Sequence, residues 1–224
     1  MFKNLTSTWR LIQQSKRPEF GPKLVTAEDR RLADAHFRYH DHGILRDLWW
    51  NMEEFSNGAW RSNQPDPERI EGLAAKGIKT ILNLRGTANR SHYLLEKEAC
   101  EAHGITLVSM ALSAKKAAPR EMYLDLLDHF EAIEHPFLIH CKSGADRTGL
   151  AAVFYLLHMN NAPLSEARKQ LALGYLHIRW LKTGILDDIL DAYAADLAKF
   201  GPISIRDWLT DHYDPDQITA NFRK

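Results

Sequence analysis

The chain has 224 residues, of which 45% are hydrophobic, 26% charged and 10% aromatic. That composition excludes collagen-like, low-complexity and wholly disordered classes, and the length is enough to bury a core without staples. Twenty-nine basic residues balance twenty-nine acidic ones, so a general nucleic-acid binder is not expected and any anion must be held by a local site.

Residues 1–25 read as an irregular arm, broken by Pro18, Gly21 and Pro22. Its first eighteen residues carry Lys3, Arg10, Lys16 and Arg17 and no acid, and Phe2, Leu5, Trp9 and Ile12 would share one face if helical. That pattern permits weak membrane-surface contact, although an arm packed on the domain or left loose is the preferred reading. Thr26 to about Phe55 reads as a helix opened by a Thr26 cap. Ala59 to Ser62 has the look of a short strand. Asp66-Pro67-Glu68 then supplies an N-cap, a proline at the first helical position and an acid near the positive dipole end. Lys76-Gly77 closes that helix.

Ile78 to Leu84 is β-branched and apolar and reads as a strand, followed by a helix over Ser91 to His103 and a strand over Ile105 to Met110. Pro119 to Glu134 is the clearest amphipathic helix, with Tyr123, Leu126, Leu127, Phe130 and Ile133 on one stripe. Phe137 to His140 is a short buried strand that runs directly into an apolar helix, Thr148 to Met159. Leu164 to Gly174 and Lys182 to Leu197 are further helices. Strands alternating with helices predict an α/β fold with a mostly parallel sheet covered on both faces. Ligands of such sheets sit beyond the carboxyl ends of the strands. The expected division is an extension over 1–55, a catalytic part over 56–200 and a helical tail over 201–224.

The segment at the end of the Phe137 to His140 strand carries the chemistry. It reads His140-Cys141-Lys142-Ser143-Gly144-Ala145-Asp146-Arg147-Thr148-Gly149. Backbone N–H groups of a tight loop between Cys141 and Ala145 form an anion cradle, and the following helix adds its own N–H groups and dipole. Arg147 offers a planar fork for two phosphate oxygens, and Gly144 gives the loop freedom to curl. The same field lowers the pKa of the Cys141 thiol and leaves a nucleophilic thiolate. An attack on phosphorus yields a phosphocysteine that water then hydrolyses, with Thr148 hydrogen-bonding the sulfur. Gly, Arg and Ser/Thr at these offsets from a cysteine coincide by chance less than roughly once in a thousand chains of this make-up. The bland alternative is an inert buried Cys141.

His140 to Gly149 resembles the phosphate-binding loop of the cysteine-dependent phosphatases, the protein tyrosine and dual-specificity superfamily. Trp60 to Pro65 and Gly77 to Arg85 are similar to bacterial and fungal dual-specificity-like members, so the likeness spans roughly 58 to 195. It implies a single domain with a four- or five-stranded sheet flanked by helices, Cys141 as nucleophile, and Arg147 as transition-state clamp. Lys142, Ser143, Gly144 and Ala145 would line the phosphate, with no metal or cofactor.

One departure stands out. The loop where most of that superfamily carries a general-acid aspartate is Ala111 to Pro119 here, and it holds no carboxylate. Asp146 is the expected replacement, kept protonated by the nearby thiolate; the rival reading has it only orienting Arg147. Lys142, with Lys115 and Lys116, would make the mouth basic, a partial likeness to the tensin-homologue phosphoinositide phosphatases.

Phosphorylated tyrosine in proteins, with some phosphoserine and phosphothreonine, is the first expected substrate, and phosphoinositides or inositol phosphates the second. A catalytically weak phospho-binding module and a rhodanese-type sulfurtransferase are the rivals; Thr148 after Arg147 favours the phosphatase. His36, His40 and His42 with Asp41 have a metal-like spacing but lack a carboxylate-rich partner segment, so a structural role is preferred. Arg61 and Arg85 near strand ends either reach the pocket or pair with surface acids, and Tyr175, His177 and Lys182 border it at most. Cys100 is expected to be a buried apolar side chain, the alternative being a protective disulfide with Cys141. Two free cysteines and the lack of an apolar leader or membrane span predict a cytoplasmic protein.

Overall fold

The computed structural model describes residues 2–16 and 19–222, with side chains described from Thr8 onward. The breaker Pro18, with Arg17, lies outside the described residues, as do the side chains of Phe2, Lys3 and Leu5.

The expectation of an irregular arm is overturned at its start: Phe2–Gln14 is a helix, α1. Gly21 and Pro22 lie well beyond its end at Gln14 and do not prevent it. The single helix expected from Thr26 to Phe55 is also broken up. Thr26 does cap α2 (Ala27–Ala35), in a capping box with Asp29. A π-helical turn, His36–His40, follows, then His42 in the left-handed region at φ 62° and a single turn α3 (Gly43–Arg46). The last stretch is not helical: Glu53–Ser56 forms strand β1, which pairs antiparallel with β2 (Ala59–Ser62). The sheet therefore starts at Glu53, ahead of the boundary expected at residue 56.

From there the chain follows its local signals. Asp66 caps α4 (Pro67–Ala75) by accepting the Arg69 N–H at 2.8 Å, and Gly77 turns the chain at φ 90°. Next come β3 (Thr80–Asn83), α5 (Ser91–His103), β4 (Thr106–Ser109), α6 (Arg120–Ala132), β5 (Phe137–His140) and α7 (Asp146–Met159). The expected helix over Leu164 to Gly174 is only one α-turn, α8 (Leu164–Ala167), followed by separate 3-10 turns at Arg168–Gln170 and Leu173–Tyr175. Then come α9 (Ile185–Phe200), α10 (Ile205–Asp211) and α11 (Pro215–Asn221). Strand order is β1-β2-β5-β3-β4, with all pairings parallel except β1 with β2.

Alternation along the strands loads both faces of the sheet. Leu82, Phe137 and Ile139 enter the larger core with α6, α7 and α9, whereas Ile81 and Leu138 meet α4 and α5 around Ile70 and Cys100. The last two helices lie in the expected helical tail and pack into the fold: Trp208, Leu209, Tyr213 and Ile218 belong to the larger core. Among the described residues no helix is long and apolar enough to cross a membrane. The central strand β5 delivers its carboxyl end, flanked by β2 and β3, to the loop that begins at Cys141.

Candidate active site

Five consecutive peptide carbonyls shape the loop between β5 and α7. The Cys141 carbonyl accepts from His140 Nδ1 at 3.2 Å. The Lys142 carbonyl accepts the Gln64 N–H at 3.3 Å, Ser143 accepts from Asn51 Nδ2 at 2.9 Å, and Gly144 from Arg61 Nη2 at 2.7 Å. The Ala145 carbonyl starts α7 by accepting the Gly149 N–H. With every carbonyl from 141 to 145 engaged by its surroundings, the intervening N–H groups are left for the concave side, as an anion cradle requires. Gly144 has φ 73°, and a Cβ there would stand 2.7 Å from the Ser62 oxygen and the Asn63 nitrogen. Both the backbone conformation and the close approach demand glycine.

Cys141 sits at the floor of this loop, 1% exposed. Burial opposes its ionisation, but the Arg147 charge, the Thr148 hydroxyl and the N–H groups of Thr148 and Gly144 outweigh it and hold the thiol below its ordinary pKa. The Thr148 hydroxyl is buried and has no other partner among the described residues. Arg147 donates one bond, at 3.3 Å, to the Leu84 carbonyl. Its buried Nε is unpartnered among the described residues, which leaves most of the guanidinium fork for an anion. Lys142, Ser143 and Asp146 are half-buried and Ala145 is buried. The eight residues singled out in the sequence therefore come together in one loop and the first turn of α7.

Asp146 has a partner that sequence reasoning did not assign. His177 Nδ1 lies 2.8 Å from Asp146 Oδ1, and His177 Nε2 lies 2.8 Å from Asp187 Oδ2. Both ring nitrogens face carboxylates, so both carry hydrogen and the ring is an imidazolium. Burial pushes that imidazolium toward the neutral form, but the two carboxylates overcome it and raise the pKa to about 9.

Around this centre lies a buried charged shell. Arg61 is fully buried, spans Gln170 and Gly144, and stacks on the Tyr175 ring at 3.6 Å. It buttresses the loop, which is neither of the two roles expected for it. Arg85 does pair with an acid, but a buried one: Asp41 accepts from Arg85 Nη2 at 2.7 Å and Arg46 Nη1 at 3.0 Å, with Lys142 Nζ at 3.5 Å. Burial opposes the Asp41 charge, yet these three cations hold its carboxyl far below the usual range. Glu96 Oε1 lies 2.6 Å from His140 Nε2, and both side chains are fully buried. Asn51, Glu96, Gln170 and Asp187 gave no sequence signal, because each acts through a partner remote in the chain or on another element, and Asp41 was noticed only beside the histidines, not as the partner of Arg85.

Other candidates resolve simply. His36 bonds the Ser91 hydroxyl at 2.8 Å and His40 the Ile12 carbonyl at 2.9 Å. No metal-sized cluster occurs among the described residues. Cys100 is packed on the opposite face of the sheet from the larger core that holds Cys141, and burial pushes its thiol up to about 12, in line with the apolar reading. Lys115, Lys116 and Lys182 are exposed.

A parallel sheet whose central strand ends in a cysteine-bearing loop at a helix N-terminus defines a cysteine-phosphatase-like α/β protein. Solved structures share that fold: Pseudomonas aeruginosa TpbA matches at TM-score 0.52 and 18% identity, covering 68% of this chain and 89% of that one. Tk-PTP in its active form matches at TM-score 0.52 and 18% identity, covering 64% and 97%. Residues 46–173 match the family described as DSP-PTPase phosphatase fused to NAD+ kinase, and the chain belongs to that family. Inositol diphosphatase DSP3 of Arabidopsis thaliana is 31% identical over 104 residues, covering 44% of this chain and 50% of the relative. DSP4 of the same plant is 30% identical over 104 residues, covering 44% and 51%. The chain thus spans about half the length of the curated relatives it matches.

Proposed function

We propose that the protein is a phosphatase that hydrolyses phosphomonoesters through a phosphocysteine. The observation that carries the reading is a buried Cys141 thiol held toward its ionised form by Arg147, Thr148 and loop amides. In the first step the sulfur attacks phosphorus and the ester P–O bond breaks. Arg147 and the N–H groups from Lys142 to Ala145 hold the three non-bridging oxygens. Asp146 protonates the departing oxygen, drawing on the proton that it shares with His177. In the second step Asp146 accepts a proton from water, water attacks phosphorus, the S–P bond breaks and inorganic phosphate leaves. Thr148 stabilises the sulfur as it is released.

Protein phosphotyrosine, with dual specificity, is the first substrate class. Phosphoinositides or inositol phosphates are the second, favoured by the likeness to two inositol diphosphatases and by Lys142 beside the loop. The free thiols suit a reducing, cytoplasmic setting. We take the sheet from Glu53 through residue 200 as the catalytic unit, with the segment before it and 201–224 as supports.

The test is hydrolysis of p-nitrophenyl phosphate by the full chain beside Cys141→Ser. Turnover by the first and none by the second is expected; no turnover with retained phosphate affinity would convert the protein into a binding module. Asp146→Asn should slow esters with poor leaving groups far more than those with good ones, and equal slowing would remove Asp146 as the proton donor.

A further inference from the structure

The two segments that flank the Cys141 loop carry an apolar surface that the site does not use. On one side Ile44, Leu45 and Leu48 are exposed, Leu48 by 79%. On the other side Leu176, Trp180 and Leu181 are exposed, Trp180 by 79%. Asn51 locks the two segments to the loop and to each other, with its Nδ2 donating to the Ser143 and Tyr175 carbonyls, both at 2.9 Å. His177 ties the second segment to Asp146 as well. The segments that carry these apolar side chains are therefore both held against the loop at the carboxyl end of β5. Large apolar side chains concentrated in this way mark an interaction surface. Leu176 holds φ 67°, a conformation that suits glycine or asparagine better, so the bulk there comes at a conformational cost.

Charge selects the partner. Trp180 and Leu181 are bracketed by exposed Arg179 and Lys182, and residues 173–184 contain no acid; Arg179 also bridges Asp191. Helix α1 joins the neighbouring turn through His40 and the Ile12 carbonyl, exposes Trp9 by 64%, and lies in a stretch with cations and no acid. Over 173–184, tryptophan and leucine interleaved with arginine and lysine suit the boundary of a bilayer, and the acid beside Leu48, Asp47, is bridged by Arg69 at 3.3 Å. There the rings rest at headgroup depth and the cations reach lipid phosphates.

We propose that this face docks on an anionic lipid bilayer and holds the Cys141 loop over a phosphomonoester borne on a lipid headgroup. The docking stands by itself, whereas the lipid substrate rests on the phosphatase reading above.

The test uses the full chain and the exposed-site variants Trp180→Glu and Leu48→Glu. They are sedimented with phosphatidylcholine vesicles containing about 30% phosphatidylglycerol at about 0.15 M salt, where long-range charge effects are screened. The unaltered protein should pellet with the vesicles, and each variant should partition about tenfold less or worse, with p-nitrophenyl phosphate turnover unchanged. A phosphatidylinositol monophosphate in vesicles should turn over about tenfold faster than the soluble inositol phosphate, an advantage lost in both variants. Absence of partitioning, or equal partitioning of all three proteins, overturns the docking. Loss of a dimer in the variants without vesicle binding by any form assigns the face to a second copy and likewise overturns it. Docking without any phosphatase turnover refutes the catalytic reading alone.

Discussion

Replacing His177 by glutamine should remove a piece of stability that depends on pH in one direction. The His177 imidazolium is 3% exposed, and its pKa is raised to about 9 from the ordinary 6.5. A gap of about 2.5 units corresponds to roughly 3 kcal/mol of preference for the folded state in the protonated form, since each unit is about 1.4 kcal/mol. Because the folded pKa is the higher one, that stabilisation is complete below pH 6.5 and is lost as pH rises through about 9. Glutamine keeps a hydrogen-bonding amide but brings no charge, so Asp146 and Asp187 lose the cation between them. The difference in unfolding free energy between the unaltered protein and His177→Gln should thus be about 3 kcal/mol near pH 6 and shrink steadily toward pH 9.5. Urea titrations at a series of pH values, followed through the tryptophans, read it directly, with the slope against denaturant unchanged. A difference that stays constant across the range, or grows with pH, refutes the imidazolium between two carboxylates.

Three further perturbations probe other parts of the argument. Gly144→Ala should leave the fold intact yet cost about 10²-fold or more in turnover, because the new Cβ meets the backbone of Ser62 and Asn63 and the cradle must shift; steady-state kinetics beside a thermal melt separates the two effects. Asp41→Asn should destabilise the protein by about 3–5 kcal/mol by leaving Arg46, Arg85 and Lys142 crowded without their shared anion; denaturant titration measures this, and a loss below 1 kcal/mol would mean water already serves these cations. Trp208→Ala should cost about 3–5 kcal/mol, since Trp208 is 1% exposed and donates to Asp196 at 2.7 Å; a negligible loss by the same titration would make the last two helices dispensable.

How much was legible depended on how local the cause was. Asp66-Pro67 announced α4 because cap and proline act within one turn, and Ser91 to His103 and Phe137 to His140 were bounded correctly by their own residues. The loop was legible because its cysteine, glycine, arginine and threonine are consecutive. α7 starts at Asp146, two residues before the apolar run suggested, because the carboxylate sits in the first turn at the positive end of the dipole. Glu53–Ser56 was not legible as a strand: it is an exposed edge whose existence depends on pairing with Ala59–Ser62. The long helix expected before it passes into a π-helical turn at His36 and ends at left-handed His42, and a Cβ on the next residue, Gly43, would stand 2.8 Å from the Phe37 carbonyl oxygen. Arg61 and Arg85 were noticed for their position, yet their roles rest on Gln170, Tyr175 and Asp41, which no spacing connects to them.

The deeper contribution of the fold is to the loop's carbonyls and not to its charges. A net charge of zero leaves no general field to gather phosphate, and Arg147 alone would serve any anion that reached it. What shapes the loop is that each carbonyl from Cys141 to Ala145 has been given a donor elsewhere, by His140, Gln64, Asn51, Arg61 and the start of α7. Those donors come from β5, from the end of β2 and from the segment before β1, so the sheet must be assembled before the cradle exists. The same assembly turns the N–H groups of Gly144 and Thr148 onto the Cys141 sulfur and lowers its pKa against its own burial. The lowered thiol pKa and the engaged carbonyls of the loop therefore arise from one arrangement of peptide dipoles, with Arg147 adding its charge beside the sulfur.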